Sequence, residues 1–366
     1  MPAVALLYAV LMVIASVGSV CGNGVLVLVV ALNSSLRTET WVLTLSFCLC
    51  DLSLGLSIIP IGVHNSLFQT QDDAASSGDG TLCQTSAFIF VLLQLASVNS
   101  LALATVDKFA EICFALHYAR LCTRRRTWAA LALLWVYCLF GATCPLLGFG
   151  EYRYSQTKFL CTPSFQPSHR GFSVVLLAMG IIAPILVMCS LCTYVIYIAR
   201  NQALRGTFVC NEQHCYYVPA NNYFRSSIVM VATVVCLLVT WLPYITTCFY
   251  ETFTGRTITP AADAVATWLM LFTSALNPWI NSMTQKKYRA ALQGSLKKLR
   301  HRFQLPIKSS IPQDRRCSIT TRSRNSLPGN ISHTCSTEHP PELSQGDLSN
   351  QANQVPTRPG HPTDLC

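Results

Sequence analysis

Charge is what this chain has least of: Asp, Glu, Lys and Arg make up only 11% of its 366 residues, against about a quarter in an ordinary soluble domain. A globule of this size with a water-facing surface is thereby excluded. Also missing are the groupings that carry chemistry. The apolar stretches hold no phosphate-cradling glycine loop, no nucleophile–base pair and no metal-ligand cluster, so nothing points to an enzyme. The 18 cysteines follow no metal spacing, and most sit singly in apolar surroundings, where a thiol packs as a small hydrophobe. No basic leader with a small-residue cleavage site precedes the first apolar run, so no cleaved signal peptide is expected.

What is abundant is apolar length. Hydrophobic residues reach 51%, gathered into seven stretches: Ala3–Leu32, Thr40–Phe68, Leu82–Cys113, Thr127–Phe149, Gly171–Arg200, Tyr223–Thr252 and Pro260–Thr284. A bilayer core about 30 Å thick takes roughly 20 residues at 1.5 Å rise, and each stretch supplies that. Backbone groups in hydrocarbon must be satisfied within the segment, so the stretches read as helices rather than barrel strands, which would be shorter and alternating. The fold class expected is an all-α membrane protein. Of the 26 basic residues, Arg153, Lys158, Arg170 and Arg256 fall in the even-numbered connections and the rest on the other side. That bias places the amino terminus outside and makes the plasma membrane the expected location. The +10 net charge then faces the anionic inner leaflet, with membrane lipid rather than nucleic acid as its partner.

Polar residues inside the spans are costly and therefore informative. Asp51 is a deeply placed carboxylate in the second span. Asn23, Ser97, Asn99, Ser274 and Asn277 stand at similar depth in other spans. These residues fit either a hydrated small-cation site around Asp51 or interhelical hydrogen bonds that only hold the bundle together. Pro60, Pro145, Pro184, Pro243 and Pro278 each free a carbonyl, predicting kinks in five helices. Cys83 and Cys161 both lie on the oxidising side, where a bridge between them can form. The triplets Asn33-Ser34-Ser35 and Asn330-Ile331-Ser332 lie inside by this topology and are expected to carry no glycan.

In order, the motifs are Gly22-Asn23, Leu45 to Asp51, Cys83, Asp107, Trp135, Pro184, Thr240-Trp241-Leu242-Pro243 and Asn277-Pro278. Over Ala3 to about Gln304 this set resembles the rhodopsin-like (class A) G-protein-coupled receptors. Subfamily features resemble the adenosine, melanocortin and lipid receptor grouping. The resemblance implies a seven-transmembrane helix bundle, residues 1–304 including an interfacial eighth helix, and a bridge between Cys83 and Cys161. It further implies a sodium pocket of Asp51, Ser97, Trp241, Ser274 and Asn277, with Asp51 the anionic ligand, and a heterotrimeric G protein as partner.

The inner end departs from the family pattern. Asp107-Lys108-Phe109 stands where most members have Asp-Arg-Tyr, and lysine lacks the guanidinium fork. Pro278 is followed by Asn281 where the family has tyrosine, and the helix-5 tyrosine position holds Cys192, with Tyr194 two residues on. Helix 6 begins without an acid to hold Lys108, implying a weak inner lock and raised basal activity. The alternative is a non-signalling scaffold or partner-dependent subunit.

Counting from Cys83, the carboxylate that amine receptors use falls at Phe90. The expected ligand wall is Phe90, Leu93, Gln94, Tyr244, Ile245, Cys248, Thr267 and Leu271, which fits a neutral or lipid-like ligand better than an amine. Gln285 to Gln304 alternates apolar and basic residues as an interfacial helix does. The loop with Cys210, His214 and Cys215 offers three ligands at irregular spacing, short of a metal site. Residues 305–366 read as a disordered cytoplasmic tail. Serines beside arginines, at Ser318, Ser323 and Ser326, are expected substrates of receptor kinases, with arrestin as reader.

Overall fold

The computed structural model describes residues 2–68, 80–114, 117–205, 208–211, 214–217, 221–256, 258–280 and 286–304. Asn281, the 305–366 tail and its serines lie outside the described residues. The first span is the helix Pro2–Leu32, and the second is Trp41–Leu56 continued by Ile58–Phe68. The third is Thr81–Cys113 and the fourth Arg124–Thr143, ending in the tight turn Cys144–Leu147. The fifth runs Arg170–Leu177, Ala178–Ile182 and Ala183–Arg205; the sixth is Asn221–Thr254, the seventh Pro260–Pro278, and an eighth helix covers Lys286–Gln304.

Six of these helices are long and apolar enough to cross a membrane. The seventh falls short because it carries Asp263, Asn277 and prolines at its ends. It tolerates them because it packs against the first, second and sixth helices, with Asp263 and Asn277 both buried. Large apolar side chains instead face outward, among them Leu133, Phe140 and Val239 at 72%, 68% and 62% exposure. In water that surface would aggregate, whereas lipid solvates it.

Of the five in-span prolines, Pro60 and Pro184 coincide with helix irregularities, whereas Pro145 sits in the turn that ends the fourth helix and Pro243 inside the unbroken helix Asn221–Thr254. The second span breaks at Ser57, three residues before Pro60, where the Ser57 hydroxyl donates to the Ser53 carbonyl at 2.6 Å. Pro184 has no N–H for the carbonyl four residues earlier, that of Gly180, and the helix widens over Ala178–Ile182. Asn99 of the third helix donates to that carbonyl at 3.1 Å. Pro278 likewise frees the Ser274 carbonyl, and Asn23 of the first helix donates to it at 3.0 Å. Asn99 therefore stands apart from the polar cluster around Asp51 in which the sequence had grouped it. Its second bond, at 2.9 Å, goes to Leu95 of its own helix. Gly22 is required at the first crossing, since a Cβ there would lie 2.7 Å from Pro278 Cγ.

Two short hairpins lie outside the spans. Strand β1 (Tyr152–Ser155) pairs antiparallel with β2 (Leu160–Pro163), and the Cys83–Cys161 disulfide ties β2 to the start of the third helix. In the other hairpin β3 (Phe208–Asn211) pairs with β4 (His214–Tyr217), placing Cys210 opposite Cys215. The loop that holds Cys210, His214 and Cys215 thus carries a short hairpin. The eighth helix packs along the first, with Tyr288 buried and Asn33 Nδ2 donating to Ser295 Oγ at 3.0 Å.

Candidate functional site

At the disulfide-bearing end a cavity opens between the third, fifth, sixth and seventh helices. The third helix contributes the stripe Phe90, Val91, Gln94 and Leu95, which recurs at helical spacing and so shares one face. Leu176, Leu177 and Ile181 face it from the fifth helix, Trp241 and Tyr244 from the sixth, and Met270 from the seventh; Pro163 and Phe165 descend from the loop after β2. Of the expected wall, Phe90, Gln94 and Tyr244 line the cavity, whereas Leu93, Ile245, Cys248, Thr267 and Leu271 do not. The Thr267 hydroxyl bonds back to the Asp263 carbonyl at 2.9 Å, and Leu271 and Cys248 have no exposure at all. The fifth-helix and loop residues escaped the sequence reading because nothing local encodes how far a loop dips into a bundle.

The lining is largely apolar. Gln94 Nε2 and Trp241 Nε1 are buried and donate to no described protein atom. Both residues also line a smaller cavity of about 220 Å³ below, which reaches Asp51, Ser97, Ser274 and Asn277. There Ser97 Oγ donates to Asp51 Oδ1 at 2.7 Å and Asn277 Nδ2 to Asp51 Oδ2 at 2.8 Å. Ser19 Oγ donates to the Asp51 carbonyl at 2.7 Å, and Ser274 Oγ to the Leu271 carbonyl at 2.7 Å. The structure thus brings together all six residues of the expected network, with Asn23 reaching it through Ser19 and the Ser274 carbonyl. One carboxylate and hydroxyl oxygens with spare lone pairs form a donor set of the hard type that a sodium ion takes.

At the opposite end, Tyr118 donates to Asp107 Oδ1 at 2.8 Å. Lys108 Nζ lies 2.9 Å from Glu111 Oε2, one turn along its own helix. Searching helix 6 for a partner to Lys108 overlooked this i,i+3 neighbour, which the spacing alone reveals. The Phe109 ring packs 5.8 Å from Tyr194 and 6.0 Å from Phe114, so an aromatic contact bridges the third and fifth helices where Cys192 is buried.

A second charged cluster lies in the loop above the upper cavity. Lys158, between β1 and β2, is 2% exposed, and its ammonium sits 3.7 Å from Glu251 Oε2 and 3.8 Å from Asp263 Oδ1. It also stands over the rings of Phe165 and Tyr244, at 5.2 and 5.6 Å. Burial opposes its charge, and Cys248, Asp263 and Glu251 more than offset that, holding its pKa above the ordinary lysine value. The sequence reading had counted Lys158 only as a basic residue of an even-numbered connection and had named Asp51 as the deeply placed carboxylate. Asp263, at 4% exposure, is a second.

A bundle of proline-kinked helices, a disulfide from the third helix to the following hairpin, and a buried Asp–Ser–Asn network beneath an apolar cavity define a seven-transmembrane receptor. Residues 22–280 match the profile of the 7 transmembrane receptor (rhodopsin family), and the chain belongs to that family. It is 27% identical over 284 residues to the histamine H2 receptor of Canis lupus familiaris, covering 75% of each chain. It is 23% identical over 302 residues to G-protein coupled receptor 161 of Homo sapiens, covering 75% of this chain and 56% of that one. With the adenosine receptor A3 of Bos taurus it shares 25% identity over 229 residues, 62% of this chain and 69% of the other. The protein is accordingly a multi-pass membrane receptor of the class that signals through G proteins.

Proposed function

We propose that this receptor responds to a neutral, largely apolar ligand in the upper cavity and passes the signal, or its own basal activity, to a heterotrimeric G protein. One observation carries the reading: an apolar cavity whose only unpartnered buried polar groups, among the described residues, are the donors of Gln94 and Trp241. An apolar body gains by burial, and a carbonyl or hydroxyl at its deep end would satisfy the two donors. A cationic amine gains little there, because Phe90 stands where amine receptors place a carboxylate and Lys158 already occupies the nearby acids.

The disulfide-bearing end then faces outward, with the amino terminus extracellular and the plasma membrane as location. Asp51, Ser97, Ser274 and Asn277 would hold sodium as an allosteric ion, which supplies a compact charge to balance Asp51. The opposite end meets the G protein through Asp107, Lys108, Phe109 and the region of Pro278 and Asn281. Receptor kinases and arrestin are proposed as partners of the tail.

The test is ligand-free second-messenger output in cells carrying graded surface levels, beside Gln94→Leu and Trp241→Phe variants. Output that scales with surface level, and a response to apolar carbonyl compounds lost in both variants, supports the reading. Flat output at normal surface expression, unchanged by Lys108→Arg with Asn281→Tyr, overturns it in favour of a non-signalling scaffold. The Lys108–Glu111 pair is the observation favouring that second reading.

A further inference from the structure

Few lysines in any protein are buried as deeply as Lys158 without a dedicated partner. Here the partners come from two different helices. Glu251 is near the end of the sixth helix and Asp263 in the first turn of the seventh. The flanking backbone is pinned on all sides: Tyr8 of the first helix donates to the Lys158 carbonyl at 2.9 Å, and Asn65 Nδ2 of the second span to the Phe159 carbonyl at 3.1 Å. Thr157 donates to Asp263 Oδ2, while Asp263 Oδ1 is buried and accepts no hydrogen bond. Phe159 takes up a left-handed backbone, φ 55°, at the tip of the hairpin, a cost a non-glycine residue bears only where surrounding contacts hold it.

Two carboxylates against one ammonium leave a surplus negative charge, in a recess walled by Phe165 and Tyr244, whose faces attract a cation. Carboxylates and aromatic faces together are the donor set of a primary-ammonium site. We propose that Glu251 and Asp263, with the rings of Phe165 and Tyr244, form an alkylammonium-binding site that the receptor fills with its own Lys158. The loop is thus a tethered cationic occupant, sitting between water and the apolar cavity below. Soluble amines meet a site already taken. This inference shares Phe165, Tyr244 and the Lys158 ion pairs with the reading of that cavity, and its test needs no ligand there.

The experiment removes the occupant and supplies it from solution. Full-length Lys158→Ala receptor in lipid nanodiscs is titrated with n-propylammonium chloride, which reproduces the atoms lost beyond Cβ, or with 1-propanol, which has the shape without the charge. Thermal unfolding is followed throughout. The variant midpoint is expected to fall by on the order of 5 °C, to rise saturably with n-propylammonium and to ignore propanol. Wild type, and the triple variant that adds Glu251→Gln and Asp263→Asn, should show no rise. An equal response to propanol, or an equal rise in the triple variant, overturns the site. Should the alanine variant fail to fold, Lys158→Met, which keeps the stem and removes the charge, is measured instead. A wild-type midpoint there overturns the proposal, and a fall upholds it.

Discussion

Replacing Asp51 by alanine removes both acceptors of the buried network at once. Ser97 Oγ, 2.7 Å from Oδ1, and Asn277 Nδ2, 2.8 Å from Oδ2, each lose a charged partner. A buried donor left without its acceptor costs about 1–3 kcal/mol, so the pair costs about 2–6 kcal/mol. The true figure lies toward the lower half, because Asn277 retains a further interaction and relief from burying a carboxylate offsets part of the loss. At about 1–2 °C per kcal/mol for a chain of this size, the midpoint should drop by roughly 2–8 °C. Asp51→Asn should fall less, since one oxygen remains for one of the two donors. The native thiols provide the assay: Cys48, Cys50 and Cys138 are buried and free, so a fluorogenic thiol dye reports their exposure on unfolding. Repeating the melt in sodium and in choline tests the proposed ion, which should raise the wild-type midpoint and leave Asp51→Ala unmoved. An alanine variant within about 1 °C of wild type would refute the network argument. Identical wild-type melts in the two salts would refute the sodium site alone.

Three further outcomes follow from named contacts. Asn99→Leu should cost about 1–3 kcal/mol while Pro184 is present and markedly less in a Pro184→Ala background, where the Gly180 carbonyl regains a backbone donor; additive losses in that double-mutant cycle would sink the pairing. Gly22→Ala should destabilise by about 1–3 kcal/mol, because its Cβ meets Pro278 at 2.7 Å, whereas Gly24→Ala meets nothing within 4 Å and should be neutral. Melting both variants beside wild type decides the matter. Because the Lys158 pKa lies above 10.5, the stability it contributes is complete below that pH and is lost only as pH rises further. The midpoint gap between wild type and Lys158→Met should therefore stay constant between about pH 7 and 10; a gap that closes within that window would show a depressed pKa.

The seven spans, their prolines and the order of family motifs were legible in the residues, because each is a local property. About 20 apolar residues in succession cross a bilayer wherever they occur, and a proline frees the carbonyl four positions back whatever surrounds it. The chain alone also marked Asp51, Ser97 and Asn277 as companions. Only the tertiary structure decided which asparagine serves which freed carbonyl, since Asn99 to Gly180 and Asn23 to Ser274 cross 81 and 251 residues of sequence. The same holds for the cavity wall, where a helix rotation of one position separates Met270 from Leu271. It holds most for Lys158, whose fate depended on a loop folding back over the bundle. A lysine in a polar loop reads as solvated until two distant carboxylates and two aromatic rings close around it, and burial energies of that kind are set by the assembled surroundings.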